Sequence, residues 1–385
     1  MSANINLPRI LRVGAGAIND TAQSLNDLGL KSPLIVTDAF IGSQNYTVKL
    51  RSDLSAAGYH CGYFAECVPD PTTDSVQAAL DALQAGDHDC VIGLGGGSSI
   101  DTAKAVAAMA LRDSAMREYK VPYVINSGLP IIAIPTTAGT GSEVTRVSVI
   151  TDVETQEKML WMGIGLMPLA ALVDYELTTS MPTRLTADTG LDSLCHALEA
   201  FVSRQSNPFT DSVALPAMRT IYQNVQLACD YPDDADARDA MMLAATQGGM
   251  AFANSSVTLI HGMSRPIGAH FHVPHGMSNA MLLPEITAWS ISGAPHRYAD
   301  AARYIGVADE DDNDQFANQK LVDSLRELCK NLAVPTPKDY GIDKIKWDGL
   351  LELMAEQALS SGSPSNNPRV PTADEIIELY QKVWE

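Results

Sequence analysis

VIGLGGGSSIDTAKAVA, Val91–Ala107, holds two periodicities side by side. An apolar run ends in Gly95, Gly96 and Gly97, and from about Ser98 small and apolar residues recur at helical spacing. This reads as a buried strand turning straight into a helix. A strand without polar alternation is covered on both faces, as in a parallel sheet. Glycines let the backbone approach a pyrophosphate, and a helix N-terminus offers unpaired N–H donors and a favourable dipole.

The same alternation extends outward. SPLIVTDAF, a helix-like run to Ala57, GYHCGYF and SVQAALDALQAG precede the stretch, and LPIIAIPTT follows it. Strand and helix alternating in this way predict an N-terminal α/β domain built on a parallel sheet. IIAIPTTAGTGSEVT, Ile131–Thr145, is a second strand followed by small hydroxyl residues, Thr136, Thr137, Thr140 and Ser142. Either loop alone reads equally well as a plain turn, but two at consecutive strand ends favour a nucleotide. Asp38 closes LIVTD. It either caps the next helix or accepts from a ribose 2′-OH, and in the second role it favours NAD over NADP. VGAGAIND, Val13–Asp20, imitates a dinucleotide fingerprint, but Asn19 stands where the third glycine belongs, so it reads as a strand-to-helix turn.

From about Pro182 the pattern becomes helical throughout, which sets the expected division at residues 1–181 for the α/β domain and 182–385 for an all-α domain. Thr372 and Glu375 form a capping-box signature for a last helix, behind a polar loop, SSGSPSNNPRVP.

The formal charge of −20 argues against nucleic acid and anionic membranes as partners. No apolar run approaches a membrane span, and MSANINLPRI has the features of no export signal. Six scattered cysteines without a CxxC pair fit reduced thiols in a cytoplasmic enzyme.

HGMSRPIGAHFHVPHGMSN, from His261, gathers half of the chain's 8 histidines. In TADTGLDSLCHALEA, Asp192 and His196 stand four apart on one helix face among apolar neighbours. A buried carboxylate beside an imidazole needs a partner, and a cation is one. Asp192, His196, His261 and His275 would give one carboxylate and three imidazoles, with a position left open for a substrate oxygen. That donor set suits Fe(II) or Zn(II) rather than Mg or Ca. His270 and His272 read as satisfied or solvent-facing.

GGGSSIDTAKA, PTTAGTGSEVT, GLDSLCHALEA and HGM…VPHGMSNAMLLP, in this order, resemble the iron-containing (group III) alcohol dehydrogenases across nearly the whole chain. The resemblance implies a cleft between the two domains that holds NAD(P) and a divalent metal, with reversible hydride transfer between a small primary alcohol and NAD. It places the metal on Asp192, His196, His261 and His275. Cofactor contacts fall on Asp38, Gly96, Gly97, Ser98, Asp101, Thr137, Thr140 and Lys158. It further implies at least a homodimer, with pairing of a strand near ILRV across subunits as one route to it. One departure stands out: many similar relatives carry a histidine where this chain has Arg265, one turn after His261. Arginine cannot relay a proton near neutral pH. It either offers a fork to an anionic group on the substrate or pairs with a nearby acidic side chain. The alternatives in function are a metal-dependent hydrolase or lyase with structural glycine loops, and a hydroxyacid–oxoacid transhydrogenase of the same superfamily.

Overall fold

The computed structural model describes residues 2–384, which form two compact units, one spanning Ile5–Ser180 and the other made of residues 2–4 together with the chain from Met181 onward. No helix among the described residues is long and apolar enough to cross a membrane.

The first unit contains β1 (Ile10–Val13), α1 (Thr21–Leu28), β2 (Pro33–Val36), α2 (Ala39–Gly42), α3 (Asn45–Ala56), β3 (Gly62–Phe64), α4 (Thr73–Ala85), β4 (Cys90–Gly95), α5 (Gly97–Met109), β5 (Ile131–Pro135), β6 (Val147–Thr151), β7 (Lys158–Met162) and β8 (Ala170–Val173). Six strands form one parallel sheet in the order β1-β8-β5-β4-β2-β3, and β6 and β7 make a separate antiparallel pair. From β2 the chain moves to β3 at one edge. It then crosses back to β4 on the other side of β2 and continues to β5 and β8. The reversal lies between β2 and β4, and crevices at the carboxyl ends of strands form at such a switch point. Asp38 follows β2 and the three glycines close β4, so the fold brings both sequence features to this place.

The sheet is covered on both faces because its strands carry apolar residues on both. Leu34, Val36 and Val91 join one core, while Ile35, Ile92 and Leu94 join the other, as alternate residues of a strand must. Each such side chain contributes roughly 2 kcal/mol by leaving water. Gly93 lets α5 lie close on β4, since a Cβ there would stand 2.9 Å from that of Ala103.

The hairpin of β6 and β7 is an element that the alternation of strand and helix does not announce. VGAGAIND forms the turn after β1, at the far edge of the sheet from the switch point, with a short 3-10 turn at Ala17–Asp20. ILRV is β1 itself, paired in register with β8 of its own chain from Ile10 opposite Ala170 to Val13 opposite Val173.

The second unit holds α6 (Thr183–Val202), α7 (Pro208–Asp230), α8 (Ala235–Ala253), α9 (Leu259–Phe271), α10 (His275–Ser290), α11 (Pro295–Ile305), α12 (Asp314–Asn331), α13 (Lys344–Ser360) and α14 (Ala373–Val383). It has no strand among the described residues. α6 is its centre, buried almost continuously from Thr186 to Val202 and packed against α7, α8 and α10. The capping box at Thr372 and Glu375 starts α14. The polar segment before it is packed: Asn367 is buried and donates to Ser290 Oγ, and Pro364 lies against Gly262 of α9.

Candidate metal centre and dinucleotide loops

On α6, Asp192, His196 and Glu199 recur at positions i, i+4 and i+7, which places them on one helix face. α9 brings His261 to that face, and α10 begins with His275 immediately after Pro274. The three imidazole Nε2 atoms converge on Asp192 Oδ1, at 3.8 Å from His196, 3.4 Å from His261 and 3.8 Å from His275. All four ligand atoms lie within 4.8 Å of one another. Bonds of 2.0 to 2.2 Å to a tetrahedral cation would put ligand atoms about 3.4 Å apart, so the spacing fits one divalent ion. The donors, three nitrogens and one oxygen, are those of iron or zinc rather than of magnesium or calcium. Asp192, His196 and His261 are buried, whereas the His275 side chain is 51 % exposed, so the cluster opens on the His275 side.

The electrostatics follow from burying these groups together. Burial by itself would raise the Asp192 carboxyl, but the surrounding histidines outweigh it and hold the group well below the usual carboxylate range. Burial, with the neighbouring imidazoles, pushes His196 down to about 4 against the pull of Asp192, leaving it neutral as a ligand must be. His261 is raised to about 9, because Glu199 and Asp192 overcome its burial.

Glu199 supports this arrangement. Its Oε2 lies 2.6 Å from His261 Nδ1, while its Oε1 accepts from the Thr258 hydroxyl at 2.8 Å and the Ile260 N–H at 2.6 Å. A carboxylate on the outer nitrogen fixes which ring nitrogen faces the ligand cluster and makes it more basic. Asn279, four residues after His275 on α10, directs Nδ2 at Asp192 Oδ1 (2.6 Å), His261 Nε2 (3.1 Å) and His275 Nε2 (3.3 Å). Two amide hydrogens cannot serve three acceptors, and its buried Oδ1 has no partner among the described residues. Asn279 therefore cannot serve all three atoms by itself, and a cation among them would take its place. Glu199 and Asn279 were not picked out from the sequence, although helical spacing from Asp192 and His275 places each on the ligand face.

In the first unit Asp38, Gly96, Gly97, Ser98, Thr137 and Thr140 gather around the end of β4, whereas Asp101 and Lys158 turn to protein partners. Gly95 has φ +146°, and a Cβ there would stand 2.6 Å from Ser99 Oγ, so only glycine suits this turn. Gly96 precedes α5 without any side-chain cap, which leaves the first-turn N–H groups around Gly97 and Ser98 free for an anion. The threonine loop meets the glycine loop. A Cβ on Gly96 would be 3.4 Å from Thr137 Cγ2, and one on Gly97 3.1 Å from Thr140 Cγ2. The hydroxyls of Thr37 and Thr137 are buried at the ends of β2 and β5 without a partner among the described residues. A cradle of small residues with orphaned hydroxyls beside a free helix N-terminus fits a dinucleotide's phosphates and ribose.

Asp38 caps α2, its Oδ1 accepting from the Ile41 N–H at 2.9 Å. Its Oδ2 faces the glycine turn, 3.5 Å from Ser99 Oγ. Asp101 turns toward protein groups: Oδ1 accepts from Ser142 Oγ at 2.8 Å and Oδ2 from the Val149 N–H at 3.0 Å. It thereby ties the threonine loop and β6 to α5. Lys104, fully buried one turn later, completes the tie by donating to Ser142 Oγ, Thr145 Oγ1 and the Val147 carbonyl. Lys158 begins β7 and pairs with Asp70 at 2.9 Å.

His270 Nε2 lies 2.8 Å from Gln357 Oε1 and His272 is exposed at the end of α9, so neither joins the cluster. Arg265 sits on α9, partly buried, one turn after His261.

Comparison with known proteins agrees across the chain. Residues 8–175 match the sequence profile described as iron-containing alcohol dehydrogenase, and residues 186–384 match that of the C-terminal part of the Fe-containing alcohol dehydrogenase family. The NAD-dependent methanol dehydrogenase of Bacillus methanolicus is 33 % identical over 98 % of this chain and 99 % of its own. The NADPH-dependent butanol dehydrogenase of Clostridium saccharobutylicum is 34 % identical over 98 % of this chain and 97 % of its own. A crystal structure of 1,3-propanediol oxidoreductase covers the whole of both chains with a TM-score of 0.95 at 30 % identity.

Proposed function

Because the chain belongs to the iron-containing alcohol dehydrogenase family, we propose that it is a metal-dependent, NAD-linked alcohol dehydrogenase and aldehyde reductase acting on a small primary alcohol. The observation that carries this reading is the convergence of three imidazole Nε2 atoms on Asp192 Oδ1.

When bound, a divalent cation supplies Lewis acidity toward an alcohol or carbonyl oxygen and the nicotinamide takes or gives the hydride. Asp192, His196, His261 and His275 would hold the cation, Fe(II) by family and Zn(II) by the same donor chemistry. Asp192 brings a carboxylate already ionised at neutral pH, and His196 a ring already neutral. Glu199 holds the His261 ring with Nε2 turned inward. The exposed side of the cluster, at His275, is where the alcohol would enter. The pyrophosphate would rest on the N-terminus of α5 at Gly96, Gly97 and Ser98, with Thr137 and Thr140 beside it. Asp38 Oδ2 would take a ribose hydroxyl, which favours NAD over NADP. Asp101 and Lys158 complete the expected cofactor contacts, Asp101 chiefly by holding the threonine loop. One relative is described as NAD-dependent and another of similar identity as NADPH-dependent, so the family alone does not decide the preference, and in this reading Asp38 carries it.

An assembly of at least two copies belongs to the same reading. Edge strand β1 leaves Leu11 and Val13 exposed, and an exposed edge is a template for pairing. The six free thiols fit a reducing cytoplasm.

The test is nicotinamide absorbance with NAD and a panel of short primary alcohols, on protein stripped by chelator and reloaded anaerobically with Fe(II) or Zn(II). Reduction that returns only with metal supports the reading. Absence of reduction with every alcohol, and of oxidation with every aldehyde and NADH, would refute it.

A further inference from the structure

Arg265 lies four residues after His261 on α9, so its side chain leaves the same helix face one turn, about 6 Å, further along. It is partly buried, and burial lowers its pKa while Glu199 pulls in the opposite direction. Yet among the described residues no carboxylate lies within ion-pair distance of its guanidinium and no acceptor is bonded to it. The nearby acid, Glu199, is already committed to His261, Thr258 and Ile260. The pairing with an acidic side chain that the sequence left open is therefore not made.

A guanidinium carries five donors in a planar fork and stays charged at any working pH. Partly removing it from water without a partner is unfavourable, and no hydrogen bond or ion pair among the described residues offsets that cost. Its neighbours on α9 are accounted for otherwise. Met263 offers its carbonyl to Tyr380, Ser264 bonds back to His261, and Gly262 receives Pro364. Among the described residues the guanidinium has neither a hydrogen bond nor an ion pair, only the longer-range pull of Glu199, and it leaves α9 one turn after the ring that would hold the cation.

We propose that Arg265 binds an anionic group on the substrate, so that the preferred alcohol is short and carries a carboxylate or sulfonate two or three carbons from the hydroxyl. The fork would donate to two oxygens of that anion side by side, while the hydroxyl end is directed to the cluster of Asp192, His196, His261 and His275. The identity of the hydroxyl end rests on the dehydrogenase reading above. The anionic end rests on the unpaired guanidinium alone.

The test compares 3-hydroxypropanoate with 1-propanol as substrates of wild-type, Arg265→Gln and Arg265→Lys enzymes loaded with metal and supplied with NAD. The same three proteins, stripped of metal, are titrated calorimetrically with propane-1-sulfonate. The wild type is expected to favour 3-hydroxypropanoate in kcat/KM. The ratio of the two kcat/KM values falls roughly a hundredfold in Arg265→Gln and partly recovers in Arg265→Lys. Sulfonate binding weakens in parallel. An unchanged ratio in Arg265→Gln, or sulfonate binding that does not depend on residue 265, overturns the proposal. If the wild type turns over neither alcohol, the dehydrogenase reading fails and the sulfonate titration alone decides whether Arg265 is an anion site.

Discussion

Glu199 Oε2 meets His261 Nδ1 at 2.6 Å, so a carboxylate on α6 sets the ring of the proposed ligand His261 on α9. The same carboxylate accepts from the Ile260 backbone and the Thr258 hydroxyl, and it thereby fixes the start of α9 together with the ring. Glu199→Gln keeps the shape and removes the charge. Metal affinity should fall about 10- to 100-fold, read by competition with a chelator of known affinity, with the helical circular dichroism preserved. An affinity equal to that of the wild type would show that Glu199 plays no part in holding the metal.

Gly96 separates a phosphate cradle from an ordinary turn. Its φ is −73°, which any residue adopts, and a Cβ there would meet Thr137 only at contact distance. Gly96→Ala should therefore fold with little loss of stability. If the backbone approaches a pyrophosphate at this point, cofactor affinity should drop about tenfold, or ~1.4 kcal/mol, measured by NADH fluorescence titration. Unchanged NADH affinity would leave the glycines as a turn and nothing more.

Much of this arrangement is legible from local pattern, and the exceptions have physical causes. Asp192 and His196 could be read because four residues make one helical turn, and the glycine stretch because a strand and a helix abut there. Glu199 obeys the same periodicity, but a lone acid on an apolar helix has no visible partner until α9 is folded against it. Asn279 is hidden for the same reason, since amides decorate many helices. The β6–β7 hairpin, with Lys158 at its edge, follows no βα alternation and is set by pairing across Val147–Met162. The two readings of Asp38 turn out not to compete: one oxygen caps α2 and the other faces the glycine turn. For Arg265, the choice between an internal partner and an external one depends on what α6 and α9 place nearby, which one sequence does not reveal.

Asp38→Asn retains an oxygen able to accept from Ile41, so α2 stays capped. Losing the negative charge should raise kcat/KM with NADP relative to NAD by about tenfold, because a 2′-phosphate would no longer meet a carboxylate. Cofactor kinetics with both dinucleotides measure it, and an unaltered ratio would assign Asp38 to the cap alone.

Lys104 gives a pH signature. Burial lowers its pKa from 10.5 to about 8 against the pull of Asp101 and Glu143. Between these values the unfolded chain binds the extra proton, so this group's contribution to stability rises as pH goes from about 8 to 10.5 and is flat below. Lys104→Met abolishes that rise and leaves three acceptors without their donor, at a cost of about 3 kcal/mol near neutrality. Urea unfolding of both proteins below and above pH 8 checks the sign. A stability difference that shrinks with rising pH would contradict it.

The metal assignment is tested most directly by measuring metal bound per chain and NADH formed in the same anaerobically loaded samples, for the wild type and for His196→Ala. The wild type should bind a single equivalent of Fe(II) and form NADH with alcohol, and the variant should lose both together. Turnover by wild type free of metal, or full metal and full turnover in His196→Ala, would contradict it.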